Sequence, residues 1–343
     1  MILSLVNRPP GAPTTIALVV VTLAIAAGVM WLGRRRTFIN TTTVADAYDR
    51  WTEDQLLERL WGEHVHLGHY GDLPRRKISV DFRDAKCDLV HNLVAWSGLD
   101  QLPQGSRVLD VGCGIGGSAR ILARDYGFQV LGISISQAQI DRAQDLTPKD
   151  PSIQCRFAVM NALALKFSDG SFDAVWSVEA GPHMPDKQNY ADELLRVLKP
   201  GGLLVVADWN RRDSSAGEMS KFEGWVMRQL LDPWAHPEFA SIPSLRRNLE
   251  ESRWSDGMVV STDDWTYATL PSWIDSIAEG FRRPMAVLGL GPGAVMKGLR
   301  ETPTLLLMDW AFRHGLMKFG VFRGHKPQSA QGHSPLEDKF VRG

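Results

Sequence analysis

The feature that most constrains the fold is an apolar strand that runs directly into a cluster of glycines, Arg-Val-Leu-Asp-Val-Gly-Cys-Gly-Ile-Gly-Gly at residues 107–117. Gly112 and Gly114 carry no Cβ atom, so the backbone there can approach a ligand closely. The following residues, 118–123, start a predicted helix, whose N-terminus can face a polar or anionic group. The run therefore predicts a nucleotide-binding turn. Because Gly112, Gly114 and Gly117 also fit the dinucleotide pattern G-x-G-x-x-G, the glycines alone do not identify the cofactor.

Other segments distinguish between the possible cofactors. A nicotinamide-binding fold has an acidic residue about 20 positions after the glycines, but the second predicted strand, 129–134, ends in serine. Further strands are predicted at 173–178 and 203–208, with a Leu-Lys-Pro-Gly-Gly turn between them at 198–202. Together with Asp110 and the glycine cluster, these segments resemble the class I S-adenosylmethionine (SAM)-dependent methyltransferases. The resemblance implies SAM as cofactor and a Rossmann-like α/β fold, a largely parallel sheet with helices on both faces.

The N-terminal region is predicted to anchor the chain in a membrane. Residues 14–33 carry no charge and are almost wholly apolar, and three arginines follow at 34–36. About 20 apolar residues suffice for a helix to span a bilayer. The arginines favour a cytoplasmic location for the C-terminal side, and therefore for the catalytic domain. A cleaved signal peptide is the alternative, but its basic residues would precede the apolar run.

Length and composition set the predicted organisation. At 343 residues the chain can bury a full α/β domain and a second region. We predict a membrane anchor at 1–36, an N-terminal cap at 37–105, a SAM-binding core at 106–210, a substrate lid with the C-terminal part of the fold at 211–323, and a disordered tail at 324–343. The balance of 38 basic and 39 acidic residues gives no indication of a nucleic-acid partner. The three cysteines are far apart and form no metal-binding pair.

Several motifs resemble one family more specifically than methyltransferases in general. They lie at 48–51 (Tyr-Asp-Arg-Trp), 61–71, 110–117, 177–187, 207–210 and 301–308. Over about residues 40–323 the chain resembles the tocopherol methyltransferase family. The resemblance implies C-methylation of the ring of a prenylated benzoquinol, with a phytyl or solanyl tail, in tocopherol and plastoquinone biosynthesis.

Two alternatives stay open at this stage. The first is methylation of γ-tocopherol or another membrane-dissolved phenol, although the residues at 66–70 and 180–182 favour the benzoquinol enzymes of the family. The second is a membrane-bound SAM- or NAD-binding protein without transferase activity. The resemblance also implies that the substrate is dissolved in the bilayer, so that membrane lipid is an expected partner; the sequence gives no oligomeric state.

The predicted catalytic residues are Glu179 and His183. Both lie near the end of the fourth predicted strand, where open α/β sheets bind their ligands. Carbon methylation needs a nucleophilic ring carbon, which deprotonation of the phenol provides. Because a phenol has a pKa near 10, a positioned base is worth about 10²- to 10⁴-fold in rate. We expect His183 to take the proton and Glu179 to orient or polarise it.

The resemblance also implies the residues that bind the cofactor. Gly112 and Gly114 are expected beneath the amino-acid and ribose parts, with Asp110 orienting the loop, and Ser134 and Ile135 at the ribose and adenine. Asn161 and Ala162 occupy the place where the family usually has Asp-Ala, and the Asn161 side-chain oxygen can still accept a hydrogen bond from the adenine amino group. Tyr70 is expected to reach the methionyl part.

Five residues are predicted to contact the substrate: His64, His66, His69, Asp208 and Trp209. The three histidines form an H-x-H-x-x-H pattern that is reminiscent of a metal site. Methyl transfer from SAM needs no metal, and no acidic or cysteine partner completes the set at a recognised spacing. We therefore predict that they line the pocket or hydrogen-bond locally, and that no metal is bound.

Overall fold

The computed structural model describes residues 41–53, 55–71, 80–231 and 236–328. Its helices are α1 (Thr41–Glu53), α2 (Leu56–Trp61), α3 (Phe82–Ser97), α4 (Gly117–Tyr126), α5 (Gln137–Leu146), α6 (Lys187–Val197), α7 (Lys221–Leu231), α8 (Ile242–Glu250), α9 (Thr266–Thr269), α10 (Pro271–Arg282), α11 (Pro284–Leu288) and α12 (Pro292–Arg313). Its strands are β1 (Arg107–Val111), β2 (Gln129–Ser134), β3 (Cys155–Val159), β4 (Phe172–Val178), β5 (Leu198–Arg211), β6 (Ser261–Asp264) and β7 (Met317–His325).

The predicted anchor at 14–33 lies outside the described residues, as do positions 329–343 of the predicted tail. Among the helices of the described ranges, none combines the length and the apolar composition that crossing a bilayer requires.

The strands form one sheet in the order β3-β2-β1-β4-β5-β7-β6. The first five are parallel, whereas β7 runs antiparallel to β5 and β6 runs antiparallel to β7. The chain moves outward in one direction from β1 to β3 and then returns to place β4 on the other side of β1. The strand order therefore reverses between β1 and β4, and a crevice forms at their carboxyl ends. The predicted class I α/β fold is confirmed.

Alternating residues of the strands build two hydrophobic cores, one on each face of the sheet. In β5, Val205 and Ala207 belong to one core, and Leu204 and Val206 belong to the other. A parallel strand that is covered by helices on both faces needs apolar side chains in both directions. This explains why β5 reads as a continuous apolar run.

The first helical segment of the described chain is divided between two helices. Gln55 has a φ of +55°, in the left-handed region, and this interrupts the helix between α1 and α2. Helix α3 follows α2 along the chain and has well-formed ends. Its N-cap is Asp81, whose carboxylate accepts from the Arg83 N–H, and it ends at Gly98 with a φ of +78°.

The predicted disordered tail begins too early. Gly324 and His325 belong to β7 and pair with Leu204 and Leu203 of β5. Lys326 is also buried, and its ammonium donates to the carbonyl of Leu195 at 3.0 Å. The ladder to β5 satisfies the backbone groups at the sheet's interior, so the ordered region extends beyond residue 323.

Candidate active site

A small cavity of about 90 Å³ lies at the carboxyl ends of β1, β2 and β4, where the strand order reverses. We call it the cofactor cavity. Six of the predicted cofactor-binding residues line it: Gly112, Gly114, Ser134, Ile135, Asn161 and Ala162. The local motifs thus place these residues together although they come from three different strand ends.

The loop after β1 is shaped for close approach of a ligand. Gly112 has a φ of +79°, and a Cβ atom there would overlap the Cβ of Ala180 in the loop after β4. Gly114 has a φ of +53°, and its missing Cβ would face open space among the described residues. A bare backbone edge therefore borders the cavity, which fits the amino-acid and ribose parts of SAM.

The polar side chains of the cofactor cavity are held by local hydrogen bonds. The Ser134 hydroxyl donates to Gln139 Oε1 at 2.7 Å and accepts from the Ser136 N–H at 3.2 Å. Asn161 Oδ1 accepts from the Leu163 N–H at 2.9 Å, and its second lone pair remains available for the expected bond with adenine.

Helix α1 closes one side of the cofactor cavity. The Asp49 carboxylate accepts hydrogen bonds from the Ser136 hydroxyl and from the Ala138 N–H in the first turn of α5. Val44 and Tyr48 of α1 line the same cavity. The N-terminal region thus takes part in the site.

Two predicted cofactor-binding residues lie elsewhere. Tyr70 lines neither the cofactor cavity nor the larger cavity described below. Its backbone N–H donates to the Ala268 carbonyl, and its ring is buried beside α10. Burial and the nearby Asp275 carboxylate raise the pKa of Tyr70. Asp110 lies behind the glycine loop, where burial raises its pKa to about 7. The contact of Tyr70 with the cofactor stays a prediction, and so does the orienting action of Asp110 on the glycine loop.

A second cavity, of about 310 Å³, lies next to the first. We call it the substrate cavity. Its lining is mostly apolar and comes from α1, α2, α10, α11, α12 and the end of β5; the larger side chains are Leu56, Leu57, Leu60, Trp61, Trp209, Trp273, Ile277, Phe281, Val287, Val295, Leu299 and Leu305. A hydrophobic molecule of substantial length fits such a lining.

The two cavities share one wall. Tyr48, Val65, Glu179 and His183 line both of them. A group that passes from a molecule in one cavity to a molecule in the other must pass beside these four residues. The predicted catalytic pair thus lies at the junction of the two cavities.

Glu179 occupies the first position after β4 in a conformation that is unusual for a residue with a side chain. Its φ is +56°, and its N–H donates to the Ala207 carbonyl at 2.7 Å. Its carboxylate accepts from the Leu67 N–H at 2.7 Å, and the Trp209 indole N–H lies near it. Burial raises the pKa of Glu179 to about 8, and this increase outweighs the opposing effect of those two donors.

His183 lies in a short 3₁₀ turn, Gly181–His183. Its Nε2 is 2.7 Å from the Tyr48 hydroxyl, and its ring stacks on His236 with 4.2 Å between the ring centroids. Burial lowers the pKa of His183 to about 3, and the Lys187 ammonium adds to this effect, so the imidazole is neutral near pH 7. Its Nδ1 is buried and has no hydrogen-bond partner among the described residues.

Lys187 and Asp208 hold this turn in place. The Lys187 ammonium donates to the carbonyls of Gly181 at 2.7 Å and Met184 at 2.6 Å, and the Asp208 carboxylate accepts from the Gly181 N–H at 3.2 Å. Burial raises the pKa of Asp208 and lowers that of Lys187, and their mutual attraction opposes both changes. Asp208 lines neither cavity and supports the turn that carries His183, so its contact with the substrate stays a prediction.

The three predicted substrate-binding histidines also turn away from both cavities. His64 Nδ1 is 3.2 Å from His66 Nε2, and His69 packs edge-on against Trp265. Val65, between the first two, faces the cavities because successive side chains of an extended segment point in opposite directions. Trp209 does line the substrate cavity, as predicted. Within the described ranges, no group of three His, Cys, Asp or Glu side chains could hold a metal ion.

Comparison with known proteins agrees with this geometry. The family model described as "Methyltransferase domain" matches residues 109–206. The chain is 54% identical, over 92% of its length and 96% of the relative's, to the 2-methyl-6-phytyl-1,4-hydroquinone methyltransferase of Synechocystis. It is 32% identical to the chloroplastic tocopherol O-methyltransferase of Arabidopsis thaliana, over 79% of each chain. The chain belongs to the tocopherol methyltransferase family.

Membership of the tocopherol methyltransferase family makes the protein a SAM-dependent methyltransferase. The structure of phosphoethanolamine N-methyltransferase 2 from Haemonchus contortus, in complex with SAM, shares the fold with a TM-score of 0.65. That match covers 83% of this chain and 60% of the other at 19% identity, and it shows the fold alone.

The sequence did not indicate most of the residues that line the substrate cavity of this protein. Tyr48 lies in a recognised motif, but nothing in that motif indicates that its hydroxyl reaches His183 across 135 positions. His236, which lines the substrate cavity, has no local motif at all. The apolar lining of α10 to α12 consists of ordinary helical residues, and only the tertiary structure brings them around one cavity.

Proposed function

We propose that the protein methylates a ring carbon of a prenylated hydroquinone, 2-methyl-6-phytyl-1,4-hydroquinone or its solanyl counterpart. The observation that carries the proposal is the wall shared by the two cavities. An aromatic ring placed against Glu179 and His183 from the substrate cavity faces the cofactor cavity directly. The apolar remainder of the substrate cavity then receives the prenyl tail. The 54% identity to the Synechocystis enzyme supports this choice of substrate over tocopherol.

The reaction replaces a ring hydrogen by a methyl group and releases one proton, so the wall must supply a base. SAM supplies an electrophilic methyl group when it is bound in the cofactor cavity. A hydroquinone hydroxyl at the wall loses its proton to the protein, and the resulting phenolate increases the electron density of the adjacent ring carbon, which takes the methyl group. That carbon then loses its hydrogen as a proton and the oxygen regains one, so that the ring becomes aromatic again and one proton is released overall. Holding the ring in line at the junction contributes further to the rate.

The pKa values of Glu179 and His183 favour a different assignment of the base from the one predicted from sequence, in which His183 takes the proton. A general base works best when its pKa lies near the working pH. Burial brings the pKa of Glu179 to about 8 but lowers that of His183 to about 3, which makes the imidazole a weak proton acceptor. We therefore assign proton acceptance to Glu179. His183, oriented by Tyr48, lies beside the substrate hydroxyl at the shared wall and positions it.

The proposal includes a membrane anchor at residues 14–33, with the catalytic domain on the cytoplasmic face. Support comes from the uncharged apolar sequence and the arginines that follow it. A prenylated quinol partitions into the bilayer, with about 0.8 kcal/mol gained for each CH₂ group buried. Tethering would keep the enzyme at the surface that holds its substrate.

The test is a methyl-transfer assay with isotopically labelled SAM. The full-length protein is given 2-methyl-6-phytyl-1,4-hydroquinone and γ-tocopherol in parallel. We expect label in a dimethylated hydroquinone and none in tocopherol. Label in tocopherol alone would instead support the tocopherol alternative, and label in neither would refute a prenylated phenol as substrate.

A further inference from the structure

The mouth of the substrate cavity can be located from two residues. Phe281 and Leu299 line the cavity and are nevertheless 82% and 57% exposed to solvent. A side chain can meet both conditions only where the cavity opens to the surface. The opening thus lies between the end of α10 and the first half of α12, next to α11.

The surface around this opening is apolar. Met285 and Leu288 of α11 are 73% and 58% exposed, and Met296 of α12 is 46% exposed. Because residues three apart lie on the same side of a helix, Met285 pairs with Leu288 and Met296 with Leu299. We call Phe281, Met285, Leu288, Met296 and Leu299 the mouth face. Clustered exposed apolar side chains of this size mark interaction sites on soluble domains.

The charges next to the mouth face are basic. Residues 281–300 include four arginines or lysines and no aspartate or glutamate. Arg282 and Arg283 form ion pairs with Glu279, and Arg282 also pairs with Asp275. The mouth face is therefore an apolar surface edged by ion-paired basic side chains, which suits the boundary between the acyl chains and the headgroups of a bilayer.

The position of the predicted anchor fits the same partner. Residues 34–40 separate the apolar run from α1, and seven residues span at most about 25 Å even when fully extended. Helix α1 supplies Tyr48 to the wall of the substrate cavity. The cavity would thus be held within a short distance of the membrane surface.

We propose that the mouth face docks on the lipid bilayer, so that the prenyl tail moves from the acyl chains into the substrate cavity without crossing water. The proposal rests on the proposed function for the nature of the tail. It adds the surface at which the enzyme meets its substrate, and it commits to lipid as the occupant of that surface.

Photo-crosslinking tests the occupant directly. The full chain carrying benzoylphenylalanine at Met285 is reconstituted in vesicles of phosphatidylcholine and phosphatidylglycerol and irradiated. Lipid adducts are expected at position 285 and not at Val259, which is equally exposed, 73%, but lies outside the mouth face. Crosslinks at position 285 to a second copy of the chain or to residues 1–40, in place of lipid, would overturn the proposal.

A kinetic comparison separates this proposal from the proposed function. In the double variant Met285→Asp, Leu288→Asp, kcat/KM for substrate in vesicles is expected to fall at least about tenfold. Neither residue lines a cavity, so turnover of the same substrate in detergent micelles is expected to stay within about twofold of wild type. Val259→Asp serves as the matched control and is expected to leave both rates unchanged. Equal loss in vesicles and micelles, or no loss in either, would refute docking, whereas failure of the wild type in both media would refute the function itself.

Discussion

The substitution Glu179→Gln is expected to reduce activity and to increase stability. Glutamine has nearly the same shape as glutamate, and its side-chain oxygen can still accept from the Leu67 N–H. The variant therefore keeps the local geometry and loses only the base. We expect kcat to fall about 10²- to 10⁴-fold, the contribution that a positioned base makes, with little change in the KM for SAM.

The gain in stability follows from the raised pKa. The Glu179 carboxyl ionises near 4.5 in the unfolded chain and near 8 in the folded protein, so the folded state binds more protons between these values. The free energy of unfolding of the wild type should therefore decrease as the pH rises from 4.5 to 8. The difference between the folded and unfolded pKa values of Glu179 corresponds to a change in the free energy of unfolding of at most about 5 kcal/mol, since each pKa unit is worth about 1.4 kcal/mol. Because Glu179 borders both cavities and retains some exposure, screening by water reduces the expected gain to about 2 kcal/mol.

Urea unfolding of both full-length proteins at pH 5 and pH 8 measures this effect. The stability difference between variant and wild type should be small at pH 5 and larger at pH 8. The pH profile of wild-type kcat/KM provides the kinetic counterpart, because activity should rise with pH through about 8 as Glu179 becomes a base. A flat profile, together with a variant that retains activity within threefold of wild type, would refute the assignment of Glu179 as the proton acceptor.

Three further substitutions test the supporting structure. Tyr48→Phe removes the hydroxyl that bonds to His183 and should lower kcat by about 3- to 10-fold, the value of one hydrogen bond, without changing the KM for SAM in steady-state assays. Lys187→Met removes the donor to three carbonyls of residues 181–184 and leaves the buried Asp208 carboxyl without its cation. Urea unfolding should therefore show a free energy of unfolding that is lower by about 3 kcal/mol. Gly112→Ala combines a left-handed backbone with overlap against Ala180, and calorimetry should show SAM binding weakened by at least about tenfold; unaltered binding would contradict the close approach of the two loops.

The cofactor cavity could be predicted because its determinants are local. The strand before Gly112, the glycines themselves and the strand ending at Ser134 each carry their own pattern, and the parallel sheet brings these ends to one edge. The same reasoning placed Glu179 at the end of β4. What it could not provide was the pKa of that carboxyl, because the burial that raises it depends on the packing of residues 64–67 and on Trp209.

The substrate cavity was largely beyond prediction from sequence. The histidine-rich segment drew attention because of its residue types, yet its histidines point away from the cavities and Val65 points toward them. In an extended segment the choice of face depends on a shift of one residue, and residue types alone do not set that register. The apolar residues that line the substrate cavity, such as Leu57 and Ile277, are separated by more than 200 positions and share no motif. Only helix packing brings them together.

Helix α1 explains how the two cavities come to form one site. Asp49 binds α5 beside the cofactor cavity, and the adjacent Tyr48 bonds to His183 at the shared wall. The same short helix thus fixes the cap to the core and completes the wall against which the ring must lie. The closure of the cofactor cavity and the orientation of His183 both depend on one element. The N-terminal region, which lies outside the matched methyltransferase domain at 109–206, thus builds part of the candidate active site.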